Sequence, residues 1–575
     1  MSTSAQNTSA VHGIAFTLFA PYNEMVALIG TFNNWQPTPM TKDDKGWWQI
    51  MLPLADGVYE YKFQVKSLSF FQVGQTIEVT DPRAVALTRD EKENARLTVK
   101  NGQQVITSYQ WQNDDKPLPA NDSLVIYEMH VGDFTGGPGD ETPGKNKNSA
   151  PKGTFQAVIE KLDYLVSLGI NAIELMPCNE FPGERSWGYN PTSIFAVENN
   201  YGTPDDLCQL IDECHGRGIR VIHDGVYNHS VETAPLTKID YTYWYYKDNP
   251  DEPGNRFGPK YDYEHHDENL GIWPARQHVR DAILFWIDQF HIDGVRFDAT
   301  YLIKHFDFLS WLHQEIFQHI TYKPFYTIAE NIPEDPHVAG PNGPLDAAWH
   351  ENLMQEVVAT TLGLEYDGRE PFNVGALMTL LDPRNDGFSG AFNVVNYIDN
   401  HDHERIMNLL GEIAYIFGDP AFRRVKLGAS LLLTAPGTPM LWMGQEWGEA
   451  IPKTTDWERI SWALLQNPAN ADLQRYYSGL ITLRKHSRAL QSNTIAPVFA
   501  DAERALIAFK RWDDGGGIVV VLANLKDTYA GEVRIENWPG DGQWHEYHNN
   551  YDIEVSGGVL TDSLAESEIK IYIKS

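Results

Sequence analysis

The chain has 575 residues, with 42% hydrophobic side chains and a formal net charge of −33 from 78 acidic and 45 basic groups. That length suits two to four domains or one large barrel with appendages. The acidic balance argues against nucleic acid and anionic membrane surfaces as partners. Three cysteines, Cys178, Cys208 and Cys214, form neither a disulfide framework nor a paired metal spacing. The opening M-S-T-S-A-Q-N-T-S-A lacks the basic start and apolar core of a secretory signal. No apolar run reaches membrane-spanning length. A cytoplasmic protein is expected, with its oligomeric state left open.

Residues 11–105 read as short alternating strands, at Ile14–Phe19, 25–29, Trp47–Leu52 and 59–65, without helical periodicity. This predicts an N-terminal, immunoglobulin-like β-sandwich over residues 1–110. After a linker at 117–122 the pattern changes to strands separated by amphipathic helices. Strands are expected at 124–131, 170–176, 219–226, 295–299, 325–330, 394–400 and 439–443, and helices at 155–168, 204–217, 275–290, 306–320 and 421–433. One more strand and helix are expected within 347–362. Repeated βα units over 111–490 point to a (β/α)8 TIM barrel. The alternative, a doubly wound sheet, would carry G-x-G-x-x-G after a strand, and none is present. An insert at 230–274, rich in Tyr, Asp, Pro and Gly, interrupts the barrel after its third strand; loops of that length are usually functional. Alternating strands return at 505–512, 518–525, 532–536 and 569–573, predicting a C-terminal all-β sandwich over 491–575. The expected fold class is therefore multidomain α/β, a TIM barrel flanked by two β-sandwiches.

The stretch F-H-I-D-G-V-R-F-D-A-T, residues 290–300, joins the end of a helix to a strand on which Arg296 and Asp298 share one face. One Arg-x-Asp in a buried strand is more often a structural ion pair than a catalytic one. The other strand ends change that balance. Active sites of (β/α)8 barrels are built at the C-terminal ends of the strands. Here the third strand runs into D-G-V-Y-N-H with Asp224 and His229, the fifth into A-E-N with Glu330, and the seventh into I-D-N-H-D with His401 and Asp402.

These four segments resemble, in order, the four hallmark regions of the α-amylase superfamily, glycoside hydrolase family 13. The resemblance implies that Asp298 is the nucleophile, Glu330 the general acid/base and Asp402 the transition-state stabiliser. It further implies that Arg296 orients the nucleophile and that His229 and His401 meet hydroxyls of the reacting sugar. Asp224 is implied as a mainly structural member of the site, and Tyr189 in S-W-G-Y-N-P as the ring stacked on that sugar, with Trp187 beside it. The N-terminal stretch V-A-L-I-G-T-F-N-N-W, residues 26–35, resembles the family 48 carbohydrate-binding module, with Trp35 at its first sugar-stacking position. Phe70 and Phe71 stand where a second tryptophan is expected, so a structural role is the alternative to sugar binding. A retaining glycosidase needs one ionised and one protonated carboxyl roughly 5–5.5 Å apart, a separation that adjacent strand ends can supply. Arg296 is expected to keep Asp298 ionised.

No cofactor and no metal are expected. Asn228 matches a calcium ligand of many secreted α-amylases, whereas related intracellular enzymes lack the ion. Y-D-Y-E-H-H-D, residues 261–267, is the other metal-like stretch. The expected partner is an α-glucan. Segments 174–191 and Asp298–Ala299–Thr300 are similar to maltooligosyltrehalose trehalohydrolase, and N-Y-I-D-N-H-D is nearest to α-amylases. Tyr301 and Leu302 replace the amylase Lys-His pair, and A-E-N-I and H-D-H-E-R depart from branching-enzyme motifs. α-Amylase-type hydrolysis of α-1,4-glucan is the favoured expectation, followed by branching, then trehalose release. A glycogen-binding scaffold without catalysis is a fourth reading, against which the three retained acids stand.

Overall fold

The computed structural model describes residues 13–90, 92–136, 153–248, 256–453 and 459–574. Eight parallel strands close into a barrel: β1 (Ile126–Met129), β2 (Ala172–Leu175), β3 (Arg220–Gly225), β4 (Gly294–Phe297), β5 (Tyr326–Ala329), β6 (Ala347–Trp349), β7 (Val394–Asn396) and β8 (Thr438–Trp442). Every residue of these strands is buried, as expected for a parallel sheet covered on its outer face and packed inside. The expected sixth unit resolves into β6 and helix Glu351–Leu362. The helix expected at 155–168 is broken into Phe155–Ile159 and Leu162–Leu168. At the second piece Gly169 takes φ +104 and donates its N–H to Leu165 and Val166 carbonyls, a left-handed C-terminal stop that glycine allows without strain.

By spatial contact the chain forms two compact units that do not follow chain order. One holds the barrel, with Asn113–Met176, Ile211–Gly225 and Ile292–Ser575. It includes a C-terminal sandwich in which Leu506–Trp512 and Ile518–Asn524 are flanked by further strands, and Gly531–Glu536 pairs with Val559–Leu564. Strands 542–546 and 551–555 were not anticipated; polar residues at alternate positions weaken their apolar signal. Trp538, Trp544 and Tyr572 pack at the centre of that sandwich with Leu506, Val520 and Leu522. Buried Arg511 fastens the sandwich to its neighbours by donating to the carbonyls of Thr434 at 2.6 Å and Leu490 at 3.1 Å.

The other unit comprises the chain up to Gln112 with Pro177–Leu210 and Val226–His291. Its N-terminal part is a β-sandwich: Ile14–Phe19 pairs antiparallel with Trp47–Leu52, and Gly57–Lys66 is central to a second sheet. The 230–274 insert supplies helix Pro235–Trp244, which is bound to the sandwich through backbone groups. Leu68 N–H donates to the Ile239 carbonyl at 3.0 Å, and Tyr241 N–H donates to Ser69 Oγ at 3.0 Å. Tyr245 stacks on Tyr261 at 4.8 Å, and Tyr243 donates to Asp267 at 2.7 Å. The aromatic richness of the insert therefore forms a packed core. No described helix is long and apolar enough to cross a membrane.

At the start of β4 the buried Asp293 ties three segments together. It accepts from Val221 N–H at 2.7 Å, Lys323 Nζ at 2.8 Å and His215 Nε2 at 2.9 Å. Burial alone would lower the His215 pKa, but the Asp293 and Asp114 carboxylates raise it to about 9. Burial alone would raise Asp293, but Lys323 and His215 bring it to about 2. The His215 contribution is complete below its unfolded value of about 6.5 and is lost as pH rises through about 9. The Asp293 contribution is complete above about 3.9 and is lost as pH falls toward 2. The melting temperature should therefore decline between pH 6.5 and 9, and His215→Gln should flatten that decline. Asp293→Ala should cost about 3–5 kcal/mol, because it removes the buried carboxylate that balances Lys323 and, together with Asp114, His215.

Candidate active site

The register of three neighbouring strands sets the site. Asp224 on β3 lies opposite Arg296 on β4, and Phe297 lies opposite Ala329 on β5. The next residues, Asp298 and Glu330, continue that pairing: Asp298 N–H donates to the Gly225 carbonyl at 3.1 Å, and Glu330 N–H to the Phe297 carbonyl at 3.0 Å. The two acids thus stand at one level on adjacent strand ends. Arg296 is fully buried between them. Its Nη1 is 2.7 Å from Asp224 Oδ1 and 3.1 Å from Asp298 Oδ1, while Nη2 is 3.0 Å from Glu330 Oε2. Its guanidinium also lies over the Trp349 ring, 4.4 Å from the centroid.

The turn after Asp298 is fastened to Glu330. Ala299 adopts the left-handed region at φ +50, which costs a residue with a Cβ roughly 1–2 kcal/mol. The conformation is held because Ala299 N–H donates to Glu330 Oε2 at 2.7 Å. Thr300 adds its N–H and Oγ1, both donated to the Glu330 carbonyl, at 2.8 and 2.6 Å. Left-handed strain of this kind concentrates at functional sites, where the surroundings over-determine it.

Across the barrel mouth, His401 is sandwiched between two acids. Its Nδ1 is 2.6 Å from Glu128 Oε1, and its Nε2 is 3.2 Å from Asp402 Oδ2. Burial alone would discharge the ring, but Asp402 and Glu128 raise its pKa well above the ordinary histidine value, which favours the imidazolium. Burial would likewise raise Asp402, yet His401 outweighs it and holds the carboxyl below the usual range. Lys453 Nζ donates to the Asp402 carbonyl oxygen.

Asp298 departs from expectation. Burial, then the Glu330 carboxylate, pushes its pKa well above the ordinary Asp value, and Arg296 only opposes the rise. Arg296 favours the ionised form of Asp298, as expected, while burial and Glu330 act against it. The guanidinium is divided among three acids, so its field at any one of them does not cover the cost of desolvation. Together the described groups can hold one carboxylate and one proton side by side, the pairing that acid/base and nucleophilic chemistry at an acetal carbon uses.

The structure brings Asp224, Arg296, Asp298, Glu330, His401 and Asp402 to the C-terminal ends of β3, β4, β5 and β7. Tyr189, Trp187 and His229 belong to the other compact unit. There His229 Nε2 lies 2.8 Å from the Tyr189 carbonyl, and burial lowers its pKa to about 4, leaving a neutral ring. Glu128 and Glu174 on β1 and β2, and Trp349 on β6, were missed by sequence reasoning. Each sits on a fully buried strand, and a charged residue within I-Y-E-M or A-I-E-L was the available signal. Glu174 is raised well above its ordinary value by burial and then by Glu128.

The metal-like stretch at 261–267 is a hydrogen-bonded turn. Asp262 Oδ1 caps the N–H groups of Glu264 and His265, and Asp267 Oδ1 accepts from Tyr22 at 2.8 Å. Asn228 Oδ1 is buried without a hydrogen bond, but it supplies one of the six to eight oxygens that calcium takes. Among the described residues, no group of three His, Cys, Asp or Glu ligands gathers at either place.

The His401 clamp makes a measurable prediction. In nitrogen NMR of histidine-labelled protein, one imidazolium should persist well above pH 7. Glu128→Gln should lower its titration midpoint, because one of its two carboxylate partners is gone; an unchanged midpoint counts against the clamp.

With the geometry in place, comparison with known proteins identifies the fold's relatives. The family described as "Alpha amylase, catalytic domain" matches residues 130–273 and 266–475, more than half of the chain, and carbohydrate-binding module 48 (isoamylase N-terminal domain) matches residues 3–84. A malto-oligosyltrehalose trehalohydrolase of Saccharolobus solfataricus is 29% identical over 76% of this chain and 74% of its own length. A 1,4-alpha-glucan branching enzyme of Vibrio cholerae is 27% identical over 96% and 78%. Among solved structures, a pullulanase of Anoxybacillus sp. LM18-11 superposes with TM-score 0.80 at 19% identity, covering 98% of this chain and 84% of its own. A putative alpha amylase of Salmonella typhimurium gives 0.75 at 23%, covering 98% and 97%. The chain belongs to the α-amylase catalytic-domain family of glucan-active enzymes, with a module of carbohydrate-binding family 48 ahead of its barrel.

Proposed function

We propose that this protein cleaves α-1,4-glucosidic bonds of glycogen, starch or maltodextrins with retention of configuration, and that water completes the reaction, as in an α-amylase. The observation that carries the reading is the placing of Asp298 and Glu330 on successive strand ends, one on each side of a single guanidinium. Asp298 attacks the anomeric carbon as Glu330 protonates the departing glycosidic oxygen, giving a covalent glycosyl-enzyme. Glu330 then takes a proton from water, which attacks the same carbon and releases Asp298. Asp402, held ionised by His401, faces the positive charge of the oxocarbenium-like transition state. The roles implied for Tyr189, Trp187 and His229 in holding the sugar are part of this proposal.

Transfer to a sugar hydroxyl and release of trehalose share the first half-reaction, and the branching-enzyme and trehalohydrolase relatives favour them as second readings. Incubation with maltoheptaose, amylose and a maltooligosyl-trehalose separates them. Hydrolysis raises reducing ends on the first two; branching lowers the iodine colour of amylose without new reducing ends; the third activity frees trehalose. No turnover of any of the three would leave only a binding role.

Asp298→Asn should lower turnover by at least about 10⁴-fold, with the melting temperature within a few degrees of the parent. Near-normal activity in that variant would remove Asp298 from the nucleophile role. Because Asp298 must lose its proton to attack, the acid limb of kcat/KM should lie above the ordinary Asp value of about 3.9. Glu330→Gln, assayed with a glucosyl fluoride that needs no acid for departure, should move that limb to lower pH, since the second-largest cause of the shift is then removed.

A further inference from the structure

We infer that Glu334, His350 and Asp386 form a divalent-metal site, with zinc the ion it suits, on the segments that leave β5 and β6 and the turn shortly before β7. One ligand atom from each lies within 4.8 Å of the others. Glu334 follows Glu330 by four residues, His350 directly follows Trp349 at the end of β6, and Asp386 ends the short turn Pro383–Asp386. This departs from the sequence expectation of no metal, because the three residues lie in segments with no spacing motif.

The argument turns on the proton of His350. Asn396 uses its Nδ2 to donate to the Pro436 carbonyl at 2.8 Å, so its Oδ1 is an acceptor. That oxygen is 3.0 Å from His350 Nδ1, which must therefore carry hydrogen. With hydrogen on Nδ1, Nε2 is the nitrogen that can offer a lone pair to a metal. It is fully buried, makes no hydrogen bond and stands 3.4 Å from Asp386 Oδ2, another electron-rich atom. Either a second proton on Nε2 or a metal ion can join these two atoms, and the binding experiment below separates the two.

The His350–Asp386 separation of 3.4 Å matches a metal, with the Glu334 oxygen within 4.8 Å of both. Ligand bonds of about 2.0–2.2 Å in a tetrahedron put neighbouring donors about 3.3–3.6 Å apart. One imidazole and two carboxylates suit zinc, whereas calcium takes oxygen ligands alone. The surroundings also hold the ligands in place. Asn352 donates its backbone N–H to Glu334 Oε2 at 3.0 Å, and its Nδ2 to Asp386 Oδ2 at 3.0 Å. Arg369 in turn donates to Asn352 Oδ1 at 2.6 Å. A His whose second nitrogen donates to a fixed oxygen, beside hydrogen-bonded carboxylates, is the outer arrangement that metal ligands show. Three protein ligands leave a fourth position for water. The ion would pin together three segments beside the strand that carries Glu330.

Zinc sulfate titrated calorimetrically into chelator-treated full-length protein should bind with one tight equivalent lost in the variants. The melting temperature should rise with zinc concentration. Glu334→Gln and Asp386→Asn, which keep shape and remove charge, should weaken binding at least about 100-fold and abolish the thermal gain. His350→Gln should do the same if it folds. Calcium chloride at the same concentration should not compete. Absence of zinc binding at micromolar concentrations would show that a proton alone joins the three groups and would overturn the site. Undiminished binding in both carboxamide variants would place the ion elsewhere and overturn it equally.

Discussion

A fully buried guanidinium organises the catalytic face. Burying an isolated Arg costs several kcal/mol even after relaxation, so Arg296 is tolerable only with its donors engaged and its charge balanced. Asp224, Asp298 and Glu330 supply that balance from three neighbouring strands, and the Trp349 face covers the remaining side. The same contacts fix the strand ends at one level. The relative placement of the two central acids therefore follows from the packing of a single side chain.

The balance is incomplete, and the incompleteness is chemically useful. Glu128, Glu174, Asp224, Asp298, Glu330 and Asp402 share this mouth with Arg296 and the His401 imidazolium. The excess of acids raises Asp298 and Glu174 above their ordinary range, while Asp402, paired with His401, stays ionised. A cluster that retains protons on some carboxyls and not on others is what separates an acid from an anion at one pH. The separation arises from unequal shares of two cations, not from the acids themselves.

The N-terminal module shows a different use of polar contacts. Its loop around Ser69 is hydrogen-bonded to the backbone of helix Pro235–Trp244, and Phe70 and Phe71 meet Tyr241 edge-on. Those two rings, at the place where a second sugar-stacking tryptophan was expected, are thus engaged in packing, although each remains about half exposed. Trp35 is 37% exposed at a turn with φ +58. The module and the insert form one compact body, which supports a structural role for the module.

The alternation of strand and helix, the eightfold repeat and the acids at strand ends were legible because each is written in local periodicity and in neighbouring residues. Asp224, Arg296, Asp298, Glu330, His401 and Asp402 could be named from their segments alone. Glu128, Glu174 and Trp349 could not, since a single inward-facing residue on a four- or three-residue buried strand leaves no period to read. Strands 542–546 and 551–555 were hidden for a different reason, the polar residues at alternate positions that dilute their apolar signal. The charge state of Asp298 was beyond the sequence for a stronger reason: it depends on how one guanidinium is divided among three carboxylates and on how far water is excluded. Likewise, Glu334, His350 and Asp386 lie 16 and 36 residues apart along the chain and meet only because β5 and β6 are neighbours in the closed barrel. Local pattern determined which residues carry charge at the strand ends; closure of the barrel decided which of those charges share a proton, a cation or a partner.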